Sequence, residues 1–277
     1  MRHLPTTGGL SLAVHELGGS GRPTLLCHAT GFHGAVWEPL AALLTGTLQQ
    51  WAIDLRAHGA STVPPGLPLD WHDFRDDVLS VVDGLDLPHG QLLGIGHSMG
   101  GAALVLAEQA RPGTFAGLWL YEPIVPPVGR MPSGPNGMSD AAERRRSSFP
   151  SAADAVANYA SKPPLNRLRS DALHAYVRHG LVAGEDGAMH LACRPADEAQ
   201  TFRGAGAHAA FEHLGEVQCP VVVASGDEGV GPELFAQGIA DQLPAGRLEQ
   251  FDHLGHFGPL EAPPRVAAAI RSFADSL

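Results

Sequence analysis

Two rhythms alternate along the chain: short apolar runs closed by Gly or Pro, and longer stretches in which apolar residues recur every three or four positions. Residues 10–17 (Leu-Ser-Leu-Ala-Val-His-Glu-Leu) alternate in the manner of a half-buried strand, and Gly18-Gly19-Ser20-Gly21 ends them with turn chemistry. The runs at 23–27, 92–96, 117–121 and 221–225 are almost continuously apolar, which predicts strands buried on both faces. Two further strands are expected at 50–53 and 247–251. Helical patterns fill the intervals at 36–44, 71–85, 233–243 and 264–273, with Asp70 placed to cap the second. Strands that alternate with helices in this way predict an α/β architecture.

The rhythm breaks at Pro123. Residues 124–137 are rich in Pro and Gly, and helical periodicity returns only around 152–161 and 171–182, with Ser151 and Asp171 as expected N-caps. No core strand is needed until Val221, so this stretch far exceeds an ordinary connection.

One stretch carries chemistry. The run Leu92-Leu93-Gly94-Ile95 leads into Gly96-His97-Ser98-Met99-Gly100 and then into a helix opening on Ala102-Ala103. A serine on a tight strand-to-helix turn leaves no room for a Cβ two residues before or after it, and Gly96 and Gly100 meet that demand. With 34 Gly in the chain, a bare Gly-x-Ser-x-Gly arises by chance roughly 0.2 times, so the weight rests on the flanking strand and helix.

Composition narrows the class. A chain of 277 residues, 44% hydrophobic and 17% charged, suits one large α/β domain. Its net charge of -11 disfavours nucleic acid and anionic membranes as partners, and Arg144-Arg145-Arg146 reads as a solvated helix face. The first nine residues lack the apolar core of a secretory signal, and no uninterrupted apolar run could span a bilayer, so a cytoplasmic protein is expected. Cys27, Cys193 and Cys219 predict no structural disulfide. His253 and His256 flank a Gly that argues for a loop, so neither a metal nor a cofactor is expected.

Together these motifs resemble the α/β-hydrolase superfamily over essentially the whole chain. Asp54-Leu55-Arg56-Ala57-His58-Gly59-Ala60-Ser61 is similar to its Asp-x-Arg-Gly-His-Gly-x-Ser signature, with Ala57 in place of a Gly. Gly255-His256-Phe257 followed by Leu260-Glu261-Ala262-Pro263 is similar to its C-terminal signature. The resemblance implies a mostly parallel eight-stranded sheet flanked by helices, with a mainly helical cap at 123–213 inserted between strands 6 and 7. The core domain would then comprise 1–122 and 214–277.

The resemblance also implies roles. Ser98 would be the nucleophile and His256 its base, with the acid lying between them in chain order. Asp227 is the first choice for that acid, although the family places it three residues past the strand-terminal Gly, where this chain has Gly229. Glu122, held extended by Pro123 at the end of the preceding strand, is the alternative, and Glu228 the third. The common His-Gly-x of the oxyanion loop is here His28-Ala29-Thr30-Gly31-Phe32, read as an insertion that leaves Phe32 N–H and Met99 N–H as the oxyanion donors. Asp54, Arg56 and Ser61 are assigned to hydrogen bonding in the loop. His28 is expected to orient the oxyanion loop, His97 to pack beside the elbow, and His208 and Phe211 to pack within the cap.

The function implied is a serine hydrolase that cleaves an ester, thioester, lactone or related acyl bond of a small, apolar molecule. The same triad also serves C–C bond hydrolases, perhydrolases, lyases and acyltransferases. A non-catalytic small-molecule-binding protein on this scaffold is the other class, but it would be marked by loss of the Ser, the His or the oxyanion Gly. A homodimer is compatible with the sequence.

Overall fold

The computed structural model describes residues 1–277 except Pro132, Gly229 and Val230. Its strands are β1 (Arg2–Pro5), β2 (Ser11–Gly18), β3 (Arg22–Cys27), β4 (Leu48–Ile53), β5 (Leu92–His97), β6 (Phe115–Tyr121), β7 (Ser148–Phe149), β8 (Leu181–Ala183), β9 (Met189–Leu191), β10 (Val221–Gly226) and β11 (Gly246–Phe251). Eight of them form one sheet in the order β1-β2-β4-β3-β5-β6-β10-β11. All neighbours in it are parallel except β1 with β2 and β2 with β4.

The helices are α1 (Glu38–Ala41), α2 (Trp71–Gly84), α3 (Met99–Ala110), α4 (Gly137–Glu143), α5 (Ala152–Ala160), α6 (Ser170–Gly180), α7 (Pro195–Gly204), α8 (Glu233–Gln242), α9 (Gly258–Glu261) and α10 (Pro263–Ser276). They explain why the central strands read as unbroken apolar runs. Leu118 and Leu120 of β6 face a core formed with α2, α3 and α8, whereas Trp119 and Tyr121 face one formed with α1, α6 and α10. Val221 and Val223 divide from Val222 and Ala224 of β10 in the same way. Each Val or Leu so buried contributes about 1.5–3 kcal/mol, and both faces of the sheet share the gain. No helix among the described residues is long and apolar enough to cross a membrane.

Several expectations shift. β1 had no pattern to read, because its residues are exposed or half-buried at the sheet edge. The helix expected over 36–44 starts as a 3-10 turn, Gly34–Trp37, and only Glu38–Ala41 is α-helical. Ser151 caps α5 by accepting from Asp154 N–H. Asp171, however, lies inside the first turn of α6 and pairs with Arg169. α6 stops at Gly180, and Leu181–Ala183 joins a small antiparallel sheet, β7-β9-β8, for which the sequence held no clear signal.

The chain order places the site. β3 leads outward to β4, and the chain then crosses back to lay β5 on the other side of β3. The loops leaving β3 and β5 therefore diverge from one crevice at the carboxyl edge, where ligands of open α/β sheets bind. Gly100 N–H bonds His28 O across that crevice at 3.0 Å.

Candidate active site

Ser98 sits between β5 and α3 with φ 55° and ψ -116°, a conformation a residue with a Cβ adopts only under constraint. The glycines provide that constraint. A Cβ on Gly96 would lie 2.6 Å from Gly101 Cα, and one on Gly100 would lie 2.3 Å from Cys27 O, both against backbone that cannot turn aside. Ser98 N–H bonds Tyr121 O at 3.0 Å, and its own carbonyl accepts from Ile124 N–H at 3.2 Å, so the elbow is tied to the end of β6.

The residue after Tyr121 reaches His256. Glu122 has φ 43° and is buried; its Oε1 accepts from Gly226 N–H at 2.9 Å, and its Oε2 lies 2.6 Å from His256 Nδ1. Both carboxylate oxygens are thus occupied. With Nδ1–H directed at a carboxylate, the imidazole keeps Nε2 as its acceptor.

The sequence preference for Asp227 as the acid is corrected here. Asp227 is exposed, and its Oδ1 accepts from His253 N–H at 2.6 Å. Glu228 is exposed as well and pairs with Arg167 at 2.8 Å. Gly229, where the family pattern would place an acid, lies outside the described residues. Asp227 N–H and Glu228 N–H both bond Leu254 O, so this turn supports the histidine loop from its outer side, and neither of its carboxylates pairs with His256. Ligand atoms of Asp227, Glu228 and His253 lie within 4.8 Å of one another, but this cluster is exposed.

Two residues to which the sequence assigned no part in the site hold His256 in place: His97, expected only to pack beside the elbow, and Tyr121, the last residue of an apolar strand run. His97 Nε2–H donates to His256 O at 2.7 Å, and Tyr121 OH donates to Gly255 O at 2.9 Å. Burial, with His256 beside it, pushes the His97 imidazole well below its ordinary range, so it stays neutral. The tyrosine fits because position 258 is Gly: a Cβ there would lie 2.1 Å from Tyr121 Oη. Both residues directly precede a site residue, Ser98 and Glu122, and this adjacency is the one signal that could have found them.

The oxyanion expectation also changes. Phe32 N–H closes a turn onto Ala29 O at 3.1 Å, and the Phe32 ring packs against Tyr176 and Phe257. Its donor is therefore already engaged. Among the described residues, the N–H groups of Thr30 and Met99 have no acceptor, and Thr30 lines the same cavity as Ser98. His28 fixes this loop from below: its Nδ1–H donates to Ala29 O at 2.8 Å, and its Nε2 accepts from Leu55 N–H at 3.0 Å. An imidazolium could not accept that bond, and burial holds the His28 pKa down to about 3.

Asp54 and its neighbours are scaffolding. Asp54 accepts from Gly34 N–H at 2.6 Å, Ala60 N–H at 2.8 Å and His15 at 3.0 Å, while Arg56 forks onto Asp77 at 2.6 and 2.8 Å. Ser61 Oγ bridges Asp54 O and Ala13 N–H. Next to the crevice, His208 stacks on Trp71 with ring centroids 5.1 Å apart.

Ser98 and His256 open into one cavity of about 460 Å³, walled by Thr30, Trp71, Met138 and Phe202, among others. That size suits a small organic molecule.

The sequence pattern of the alpha/beta hydrolase family matches residues 24–269, and the chain belongs to that family. Over 129 residues it is 37% identical to human monoglyceride lipase, a match that covers 44% of this chain and 43% of the lipase. Mouse monoglyceride lipase is 34% identical over a match of the same length. The matched region thus spans less than half the length of these curated relatives. Among solved structures, E-2-(acetamidomethylene)succinate hydrolase superposes with a TM-score of 0.79 at 23% identity, covering 99% of this chain and 98% of that one. The peroxisomal alpha-beta-hydrolase of Saccharomyces cerevisiae gives 0.80 at 19%, covering 99% and 84%. Likeness at such identity concerns the fold.

Proposed function

We propose that the protein is a serine hydrolase that cleaves an ester or related acyl bond of a small molecule through an acyl-enzyme on Ser98. The observation that carries this reading is the 2.6 Å contact of Glu122 Oε2 with His256 Nδ1, beside a strained serine in the same cavity. The esterases and lipases among its relatives support the choice of an ester substrate.

In this reading His256 Nε2 takes the Ser98 Oγ proton as Oγ attacks the acyl carbon. The oxyanion accepts hydrogen bonds from Thr30 N–H and Met99 N–H. His256 then returns the proton to the leaving alcohol, which departs as the acyl-enzyme forms. Water, deprotonated by the same nitrogen, attacks the acyl carbon; the acid leaves and Ser98 regains its proton. Glu122 holds the required tautomer and stabilises the imidazolium. Residues 123–213 serve as the cap that roofs the pocket and selects a small, largely apolar acyl group.

The test is exposure to a fluorophosphonate followed by intact mass and peptide mapping, run beside Ser98→Ala and a panel of short-chain aryl esters. Stoichiometric label confined to Ser98, with turnover abolished in the variant, is the expected result. Absence of both label and turnover in the wild type overturns the reading.

A further inference from the structure

A second cavity, of about 640 Å³, adjoins the first and shares Thr30, Met138, Phe202 and Phe257 with it. Its wall carries Arg144, Arg145, Arg146 and Lys162, and Lys162 is the only lysine in the sequence. A chain with 29 acidic and 18 basic residues thus brings four of its cations to one chamber beside the serine. The sequence reading of the arginine run as a solvated helix face holds only in part: Arg144 and Arg146 are exposed, but the run lies off the helix and Arg145 is half-buried. α4 ends at Glu143, and the three arginines follow in the turn that borders this chamber.

Most of this positive charge is uncompensated. Glu198 is the acidic residue of the wall, and it is taken by Arg145, whose Nη1 lies 2.5 Å from Glu198 Oε2. The other Nη of Arg145 donates to Tyr176 OH at 2.8 Å and Tyr159 OH at 3.2 Å, which fixes the guanidinium in place. Arg146 bonds Ser148 O and covers the Phe149 ring. Among the described residues, Arg144, Arg146 and Lys162 form no ion pair with a carboxylate.

We propose that this outer chamber binds an anionic oxygen group, a carboxylate or a phosphate, on a substrate whose acyl carbon reaches Ser98. The proposal rests on the acyl-transfer reading above and names its substrate class: an acyl compound apolar around the scissile bond and anionic at its far end. Arg144, Arg146 and Lys162 are exposed, and one exposed cation attracts an anion weakly, but several gathered on one wall add their fields. A guanidinium fork suits a pair of oxygens on either group.

The experiment compares 4-nitrophenyl esters of matched chain length ending in a carboxylate, in its methyl ester and in a phosphate. The wild type, the double variant Arg144→Gln/Lys162→Gln and the distant control Arg2→Gln are measured at low and high salt. The expected wild-type kcat/KM favours the anionic esters, with a preference that falls about tenfold in the double variant, weakens with salt and is unchanged in Arg2→Gln. The carboxylate and phosphate arms identify the anion. Wild-type preference for the methyl ester, or an anionic preference that the double variant retains, overturns the proposal. Calorimetric titration with glutarate and with propyl phosphate separates the two readings. Binding that the double variant weakens, without ester turnover or fluorophosphonate label, supports the anion chamber and rejects the acyl chemistry. Ester turnover with no anion binding and no anionic preference rejects the chamber alone.

Discussion

Glu122, at the end of β6, and His256, in the loop after β11, meet at 2.6 Å although 134 positions separate them in the chain. β6 and β11 lie on either side of β10, so the carboxylate reaches past the end of β10, where Gly226 N–H steadies its other oxygen. Glu122→Gln keeps the shape but removes the negative charge and, with its amide oxygen held by Gly226 N–H, turns an NH2 donor toward His256 Nδ1, so kcat is expected to fall on the order of 10³–10⁴-fold. Asp227→Asn, at an exposed position, should change it by no more than about twofold. Steady-state kinetics on an aryl ester separates the two, and equal losses would contradict the assignment of Glu122.

The oxyanion reading depends on a backbone group. Thr30→Ala retains the N–H and is expected to stay within about threefold of wild type. Thr30→Pro removes the N–H and should cost about 10²–10³-fold in kcat. Thermal melts of both variants check that the loop survives, and full activity in folded Thr30→Pro would return the role to another donor.

His97 acts through His256 rather than on substrate. His97→Phe fills similar space but cannot donate to His256 O, and kcat should drop about tenfold with KM little changed. His97→Gln, which can still donate, should recover part of that loss. A KM effect as large as the kcat effect would point to a role in the pocket instead.

Gly100 lies where the elbow presses on the end of β3. Gly100→Ala sets a methyl 2.3 Å from Cys27 O and 2.7 Å from His28 O, and the backbone must shift. The expected loss is roughly 1–3 kcal/mol of stability, read as a lower urea midpoint, together with reduced fluorophosphonate labelling.

Acid sensitivity follows from the buried imidazoles. Burial holds His28 down to about 3 and His33 and His208 to about 4, against an ordinary value of 6.5. The unfolded chain therefore binds more protons below pH 6.5 than the folded one does. Stability should be fully present above that pH and decline by about 1.4 kcal/mol per unit for each histidine as pH falls toward 4. Urea midpoints at pH 7.5 and pH 5 measure the slope; a flat profile excludes neutral buried histidines.

What could be read in advance followed local rules. The runs of β5, β6 and β10 show their burial directly, Asp70 and Ser151 cap helices where expected, and the glycines at 96 and 100 mark the turn at Ser98. β1 escaped because an exposed edge strand needs no apolar face, and β7–β9 because such short strands carry little periodicity. The arginine run is solvated at Arg144 and Arg146 as expected but is not helical, because charge alone does not show where α4 stops or which way the following turn will face.

The sequence by itself determined the α/β architecture, the elbow serine and the histidine-bearing loop, since each rests on residues adjacent in the chain: a pattern of burial, a pair of glycines, a short signature. Which carboxylate meets His256, which N–H groups remain free around the elbow, and which cavity the arginines border were decided only by the tertiary structure. Asp227 and Glu122 each directly follow a strand at the carboxyl edge and look equivalent in one dimension. Their difference lies in direction: the Glu122 backbone turns its side chain inward at φ 43°, beneath the histidine loop, whereas Asp227 accepts a bond from the outer side of that loop and stays in water.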